Sequence, residues 1–253
     1  MIKIHREVYG QGQPLVMLHG WSMHSGIWRR FAQGLAEHFQ VICLDLPGHG
    51  RSEGVTPYTL ERISAALLAA IPRDRFHVLG WSLGGTVALD LAHRFPEKVA
   101  SLTLLAANPR FVQGEQWPGV KAEVLRSFAD NLAVSCQATL MRFLALQVKG
   151  LANGKELLKQ LKQAVQECEA PAVSTLQGGL DILAHSDLTL SFQQLGCPVQ
   201  AILGGRDSLI PAQCGERLQY LRPDANIRLL RDAGHVPFLS HQREIVELLA
   251  GAL

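Results

Sequence analysis

Short apolar runs rich in β-branched residues punctuate the chain at residues 15–18, 41–44, 76–79, 102–105, 199–203 and 227–230. Runs of this length predict strands, and their unbroken hydrophobicity predicts burial on both faces. Between them the period changes. Ile27, Trp28, Phe31 and Leu35, and again Leu60, Ile63, Leu67 and Ile71, recur at three- and four-residue spacing, which gathers them on one face of a helix. Strands alternating with helices predict an α/β fold with a mostly parallel central sheet and helices on both faces.

The alternation stops between about Asn108 and Leu195, where helical periodicity continues without a convincing strand. Leu125, Phe128 and Leu132 form one stripe there, and Leu158, Leu161 and Val165 another, separated by Gly150 and the turn-forming Asn153-Gly154. The expected organisation is a core of residues 1–108 and 196–253 carrying an inserted helical cap of residues 109–195. The alternative is that these helices simply enlarge the core.

Composition narrows the classes. With 47% hydrophobic and 18% charged residues in 253, the chain has ample apolar material for a buried sheet. A net charge of +2 supplies no global field for nucleic acid. The five cysteines, Cys43, Cys136, Cys168, Cys197 and Cys214, are odd in number and mostly lie in apolar runs, as expected of buried thiols in a reducing cytoplasm. Residues 1–7 lack the apolar segment of a signal peptide, and no later stretch approaches a membrane span. A cytoplasmic monomer is the expectation. No metal-ligand motif is present, and no cofactor is expected.

The chemistry centres on Gly80-Trp81-Ser82-Leu83-Gly84-Gly85, between a strand run and a helical pattern. A strand turning sharply into a helix needs glycines around the serine, and the turn presents the hydroxyl at the helix N-terminus. A serine hydroxyl needs a base. Among ten histidines, His235 follows the last strand run, where α/β proteins assemble their sites. The third member is a carboxylate that fixes the imidazole tautomer. Asp207, also directly after a strand run, completes the order Ser, Asp, His; Asp232, three residues before His235, is the rival. Backbone N–H groups of Trp21 and Leu83 are expected to form an oxyanion hole, with His19 bracing the loop. The glycine-rich 45–52 segment matches no phosphate-binding spacing and reads as a tight turn.

A cationic stripe also stands out. Lys155, Lys159 and Lys162 share one side of a predicted helix, and Arg142 lies nearby in sequence. It is either a docking face for an acidic protein or an ordinary solvated surface.

These motifs occur in an order that resembles the α/β-hydrolase family over essentially the whole chain: His19-Gly20-Trp21, the 45–52 segment, the serine turn, Gly204-Gly205-Arg206-Asp207 and Ala233-Gly234-His235. Within it, residues 115–121, 142–147 and 176–183 resemble the biotin-pathway carboxylesterases of bacteria. That resemblance implies hydrolysis of the methyl ester of pimeloyl-acyl carrier protein to methanol and the free acid. It also implies acyl carrier protein as partner and substrate contacts at Trp21, Ser82, Leu83, Phe143, Leu144, Ala145, Leu146, Gln147 and His235. Two alternatives stay open: a serine-triad hydrolase of small esters, lactones or carbon–carbon bonds, and a small-molecule receptor on the same scaffold.

Overall fold

The computed structural model describes residues 2–252; Met1 and Leu253, the outer ends of the expected core segments, lie outside the described residues. The sheet has seven strands: β1 (Arg6–Tyr9), β2 (Gln13–Leu18), β3 (Phe39–Leu44), β4 (Phe76–Trp81), β5 (Val99–Leu105), β6 (Val199–Gly204) and β7 (Asn226–Leu230). Their spatial order is β1-β3-β2-β4-β5-β6-β7, with β1 antiparallel to β3 and the other neighbours parallel.

All six apolar runs are strands, and β1 is the element that the pattern missed. Its sequence, Arg6-Glu7-Val8-Tyr9, alternates exposed and half-buried positions, as an edge strand does. The expectation of two-faced burial fails at β7: Arg228 and Leu229 are exposed because the strand forms the opposite edge.

Helices α1 (Arg29–Leu35), α10 (Pro237–Ser240) and α11 (Gln242–Ala252) cover one sheet face, where Trp28, Phe31, Phe238, Ile245 and Leu249 pack on Leu15, Met17, Leu79 and Ile202. The other face carries α2 (Leu60–Ala70), α3 (Leu83–Arg94) and α9 (Cys214–Leu221), through Ile63, Leu67, Val87, Leu91 and Leu218. His241 separates α10 from α11, the last helix of the described residues.

Five helices separate β5 from β6: α4 (Ala122–Val134), α5 (Cys136–Gln147), α6 (Gly154–Gln166), α7 (Val173–His185) and α8 (Thr189–Gln194). Their apolar faces merge with the two core layers, Leu125, Phe143 and Leu176 with one and Leu144, Leu157 and Leu161 with the other. Helix α8 packs on α3 and α9. The buried face of α6 is Leu157, Leu161 and Ala164; of the expected stripe, Leu161 is buried while Leu158 and Val165 are half-buried against the same core. No helix of the described residues is long and apolar enough to cross a membrane.

Candidate active site

Strand β4 passes into α3 through Ser82, whose φ of 55° and ψ of −121° hold it in a region that non-glycine residues rarely occupy. The neighbours permit this. A Cβ on Gly80 would collide with the backbone of Gly84, and one on Gly84 with the carbonyls of Leu18 and His19. The turn closes only because these positions lack side chains. The Ser82 side chain therefore stands at the carboxyl edge of the sheet, with the loops after β2, β6 and β7 around it.

Those loops deliver the partners. The Ser82 hydroxyl lies 2.8 Å from His235 Nε2, and His235 Nδ1 lies 2.8 Å from Asp207 Oδ2. The second carboxylate oxygen, Oδ1, accepts the backbone N–H groups of Leu209 (2.8 Å) and Ile210 (3.0 Å). These donors fix the plane of the Asp207 carboxylate. With Nδ1–H donating to the carboxylate, Nε2 keeps its lone pair toward the serine. The imidazole is held at its backbone too: Trp81 Nε1 donates to the His235 carbonyl (2.7 Å), and the His235 N–H donates to the Gln147 carbonyl (3.3 Å).

Asp232 is elsewhere. It is 72% exposed and paired with Arg206 at 2.7 Å, so it does not reach the ring that Asp207 holds. Leu83 directly follows the serine, and its side chain and that of Trp21 both lie against Gly179 of α7. Leu83 is the first residue of α3, so its N–H has no intrahelical acceptor, and no acceptor engages the Trp21 N–H among the described residues.

Behind the Trp21 loop, His19 accepts the Leu46 N–H at Nε2 (2.9 Å) and donates from Nδ1 to the Gly20 carbonyl (2.8 Å). Burial, with His49 nearby, pushes its pKa down to about 3, so it braces the loop as a neutral ring. The 45–52 turn belongs to the same brace. Asp45 accepts the N–H groups of Ser25 (2.5 Å) and Arg51 (2.9 Å), and Gly48 and Gly50 adopt φ of 72° and 54°.

The five consecutive residues Phe143, Leu144, Ala145, Leu146 and Gln147 do not face the site as a block, because α5 turns them around its axis. Phe143, Leu144 and Gln147 are buried, Leu146 is half-buried, and Ala145 is exposed. Phe143 meets the Trp21 indole edge-on at 4.7 Å. The Gln147 side chain is buried with neither amide atom hydrogen-bonded. Roles for the Trp81 indole and the Gln147 carbonyl escaped the sequence reading; tryptophan inside the serine turn was the available signal for the first. Arg142, Lys155, Lys159 and Lys162 are all exposed. None pairs with a carboxylate among the described residues.

A serine, a histidine and a buried aspartate in one hydrogen-bonded line on this sheet define a hydrolase scaffold. A family model for the α/β hydrolase fold matches residues 13–242. The esterase of Exiguobacterium antarcticum superposes with a TM-score of 0.88 at 21% identity, covering 99% of this chain and 95% of that one. Sequence relatives carry more detail. A pimeloyl-[acyl-carrier protein] methyl ester esterase of Methylococcus capsulatus is 42% identical over 96% of this chain and 95% of its own length. One from Nitrosomonas europaea is 40% identical over 97% and 98%. The chain belongs to the α/β-hydrolase family and, within it, to the group of these esterases.

Proposed function

We propose that this protein is a serine carboxylesterase that hydrolyses the methyl ester of pimeloyl-acyl carrier protein, releasing methanol and pimeloyl-acyl carrier protein for biotin synthesis. The observation that carries the mechanism is the Ser82–His235–Asp207 line with both contacts at 2.8 Å. Full-length relatedness to esterases of that name supports the substrate.

Ser82 Oγ attacks the ester carbonyl while its proton passes to His235 Nε2. Asp207 stabilises the imidazolium, and the N–H groups of Trp21 and Leu83 receive the oxyanion. Collapse expels methoxide, which takes the proton from His235 and leaves as methanol. Water, deprotonated by His235, then cleaves the acyl-enzyme and restores Ser82. Trp21, Phe143, Leu144 and Gln147 bound the acyl arm, with Leu146 at its margin.

Residues 109–195 serve as the cap over this site, and Arg142, Lys155 and Lys159 on its outer surface meet the acidic carrier. The protein acts as a monomer in the cytoplasm, a reducing setting that suits its five free cysteines. The test is mass spectrometry of carrier-bound pimeloyl methyl ester after incubation with wild type and Ser82→Ala. Wild type should convert it with stoichiometric methanol, and the folded Ser82→Ala protein should lose turnover by orders of magnitude. A folded Ser82→Ala protein with normal turnover overturns the serine mechanism, and an untouched carrier ester overturns the substrate.

A further inference from the structure

Two consecutive glycines inside a helix weaken it relative to alanine, so Gly178-Gly179 in α7 calls for a packing reason. The two face different neighbours. A Cβ on Gly178 would lie 2.7 Å from Tyr58 Cβ. A Cβ on Gly179 would lie 2.7 Å from Cδ1 and 3.1 Å from Nε1 of Trp21, and 3.3 Å from Cδ2 of Leu83. Gly179 therefore lies against the side chains of both residues read as oxyanion donors.

One turn earlier on α7, the Leu176 carbonyl accepts the Trp21 indole N–H at 2.8 Å. Such a bond from a buried indole requires the helix backbone to come close. The Trp21 loop needs an external hold. The next residue, Ser22, sits at φ 62°, a conformation that costs a non-glycine residue free energy and relaxes when restraint is lost. Leu83 is different, since its N–H is fixed by α3.

We propose that Gly179 is a positioning residue for the oxyanion hole. Lacking a Cβ, it lets α7 approach until Leu176 captures the Trp21 indole, and that capture holds the strained loop with the Trp21 N–H aimed at the developing oxyanion. Helix α7 is then a fixed support for catalysis, beyond any role in covering the substrate. The inference rests on the reading of Ser82 as nucleophile with Trp21 and Leu83 as oxyanion donors.

Gly179→Ala and Gly178→Ala make a matched pair, because each crowds the same helix against the core by a similar amount and only one touches Trp21. Two measurements separate them: kcat and KM on a short free methyl ester, and affinity for a small trifluoromethyl ketone. Ser82 adds to the ketone carbonyl, His235 taking the hydroxyl proton, so the adduct carries an oxyanion in the hole. Gly179→Ala should lower kcat about tenfold or more with KM within about threefold, and weaken the ketone by a similar factor. Gly178→Ala should change both far less.

Equal losses in the two variants, or undiminished ketone affinity in Gly179→Ala, overturn the proposal. Should Gly179→Ala not fold, Trp21→Phe keeps the backbone N–H, removes the indole donor and does not overpack. It should show the same paired loss, and full ketone affinity there overturns the proposal equally. Folded Ser82→Ala separates the two levels. If it is inactive while Gly179→Ala is indifferent, this inference alone fails; if it turns over ester normally, the underlying serine reading fails.

Discussion

At the scale of single residues, the candidate site is a problem of holding three side chains against their own preferences. Ser82 occupies strained backbone, His235 is wholly buried, and the Asp207 carboxylate has no exposure at all. Burying a carboxylate is costly unless donors meet its oxygens, and Asp207 has the His235 ring and two backbone N–H groups. Asp207→Asn should therefore lower kcat on a methyl ester by on the order of 10³–10⁴-fold, because the amide stabilises the wrong tautomer of His235. Asp232→Asn, which breaks only an exposed pair with Arg206, should stay within about twofold. Steady-state kinetics of the two variants decide between them, and the opposite ranking reassigns the acid. The triad was legible because glycines and strand ends mark it locally. Gly179 and the Gln147 carbonyl were not, since their partners lie more than 80 residues away in sequence and only tertiary packing joins them.

Elements were readable where periodicity and burial agree. The six apolar runs became strands, but β1 is too polar to register and β7 too exposed to fit its prediction, both because sheet edges lack a second neighbour. In α6 only Leu161 of the expected stripe is fully buried, because which neighbours of Leu158 and Val165 turn inward follows what α6 packs on, and the sequence alone does not contain that. The loop after β2 and the turn after β3 form a unit with a pH signature. Burial pushes His19 down to about 3 and His49 down to about 4, against an ordinary value of 6.5. Below about pH 6.5 the unfolded chain binds a proton at each ring while the native state binds none until far lower pH, so acidification favours unfolding. Stability is complete above that value and should fall by roughly 1 kcal/mol per pH unit for each histidine between pH 6 and 5. Urea unfolding at pH 7, 6 and 5 measures this, and His49→Gln should flatten the slope. An unchanged midpoint across that range contradicts neutral buried rings.

At the scale of the whole molecule, the parallel sheet brings the loops after β2, β4, β6 and β7 to one end, and the helices between β5 and β6 close over it, leaving Ser82 2% exposed. The chemistry therefore sits at the sheet edge, beneath these helices, and their outer surface is left to solvent. On that outer surface Lys155, Lys159 and Lys162 line the solvent face of α6, opposite its buried Leu157 and Leu161, and Arg142 projects from α5. Unpaired, exposed cations contribute little to stability but raise the association rate of an acidic partner through long-range attraction. If the proposed carrier docks there, Lys159→Glu combined with Arg142→Glu should lower kcat/KM on the carrier-bound methyl ester about tenfold at low salt, with much of the difference gone at high salt. Turnover of a short free methyl ester should be nearly unchanged, because neither side chain touches the triad or the Trp21 loop. Comparing the two substrates across a salt series separates recognition from catalysis. Equal loss on both would make these charges supports of the helices, whereas no loss on the carrier ester would move the docking face to another part of the surface.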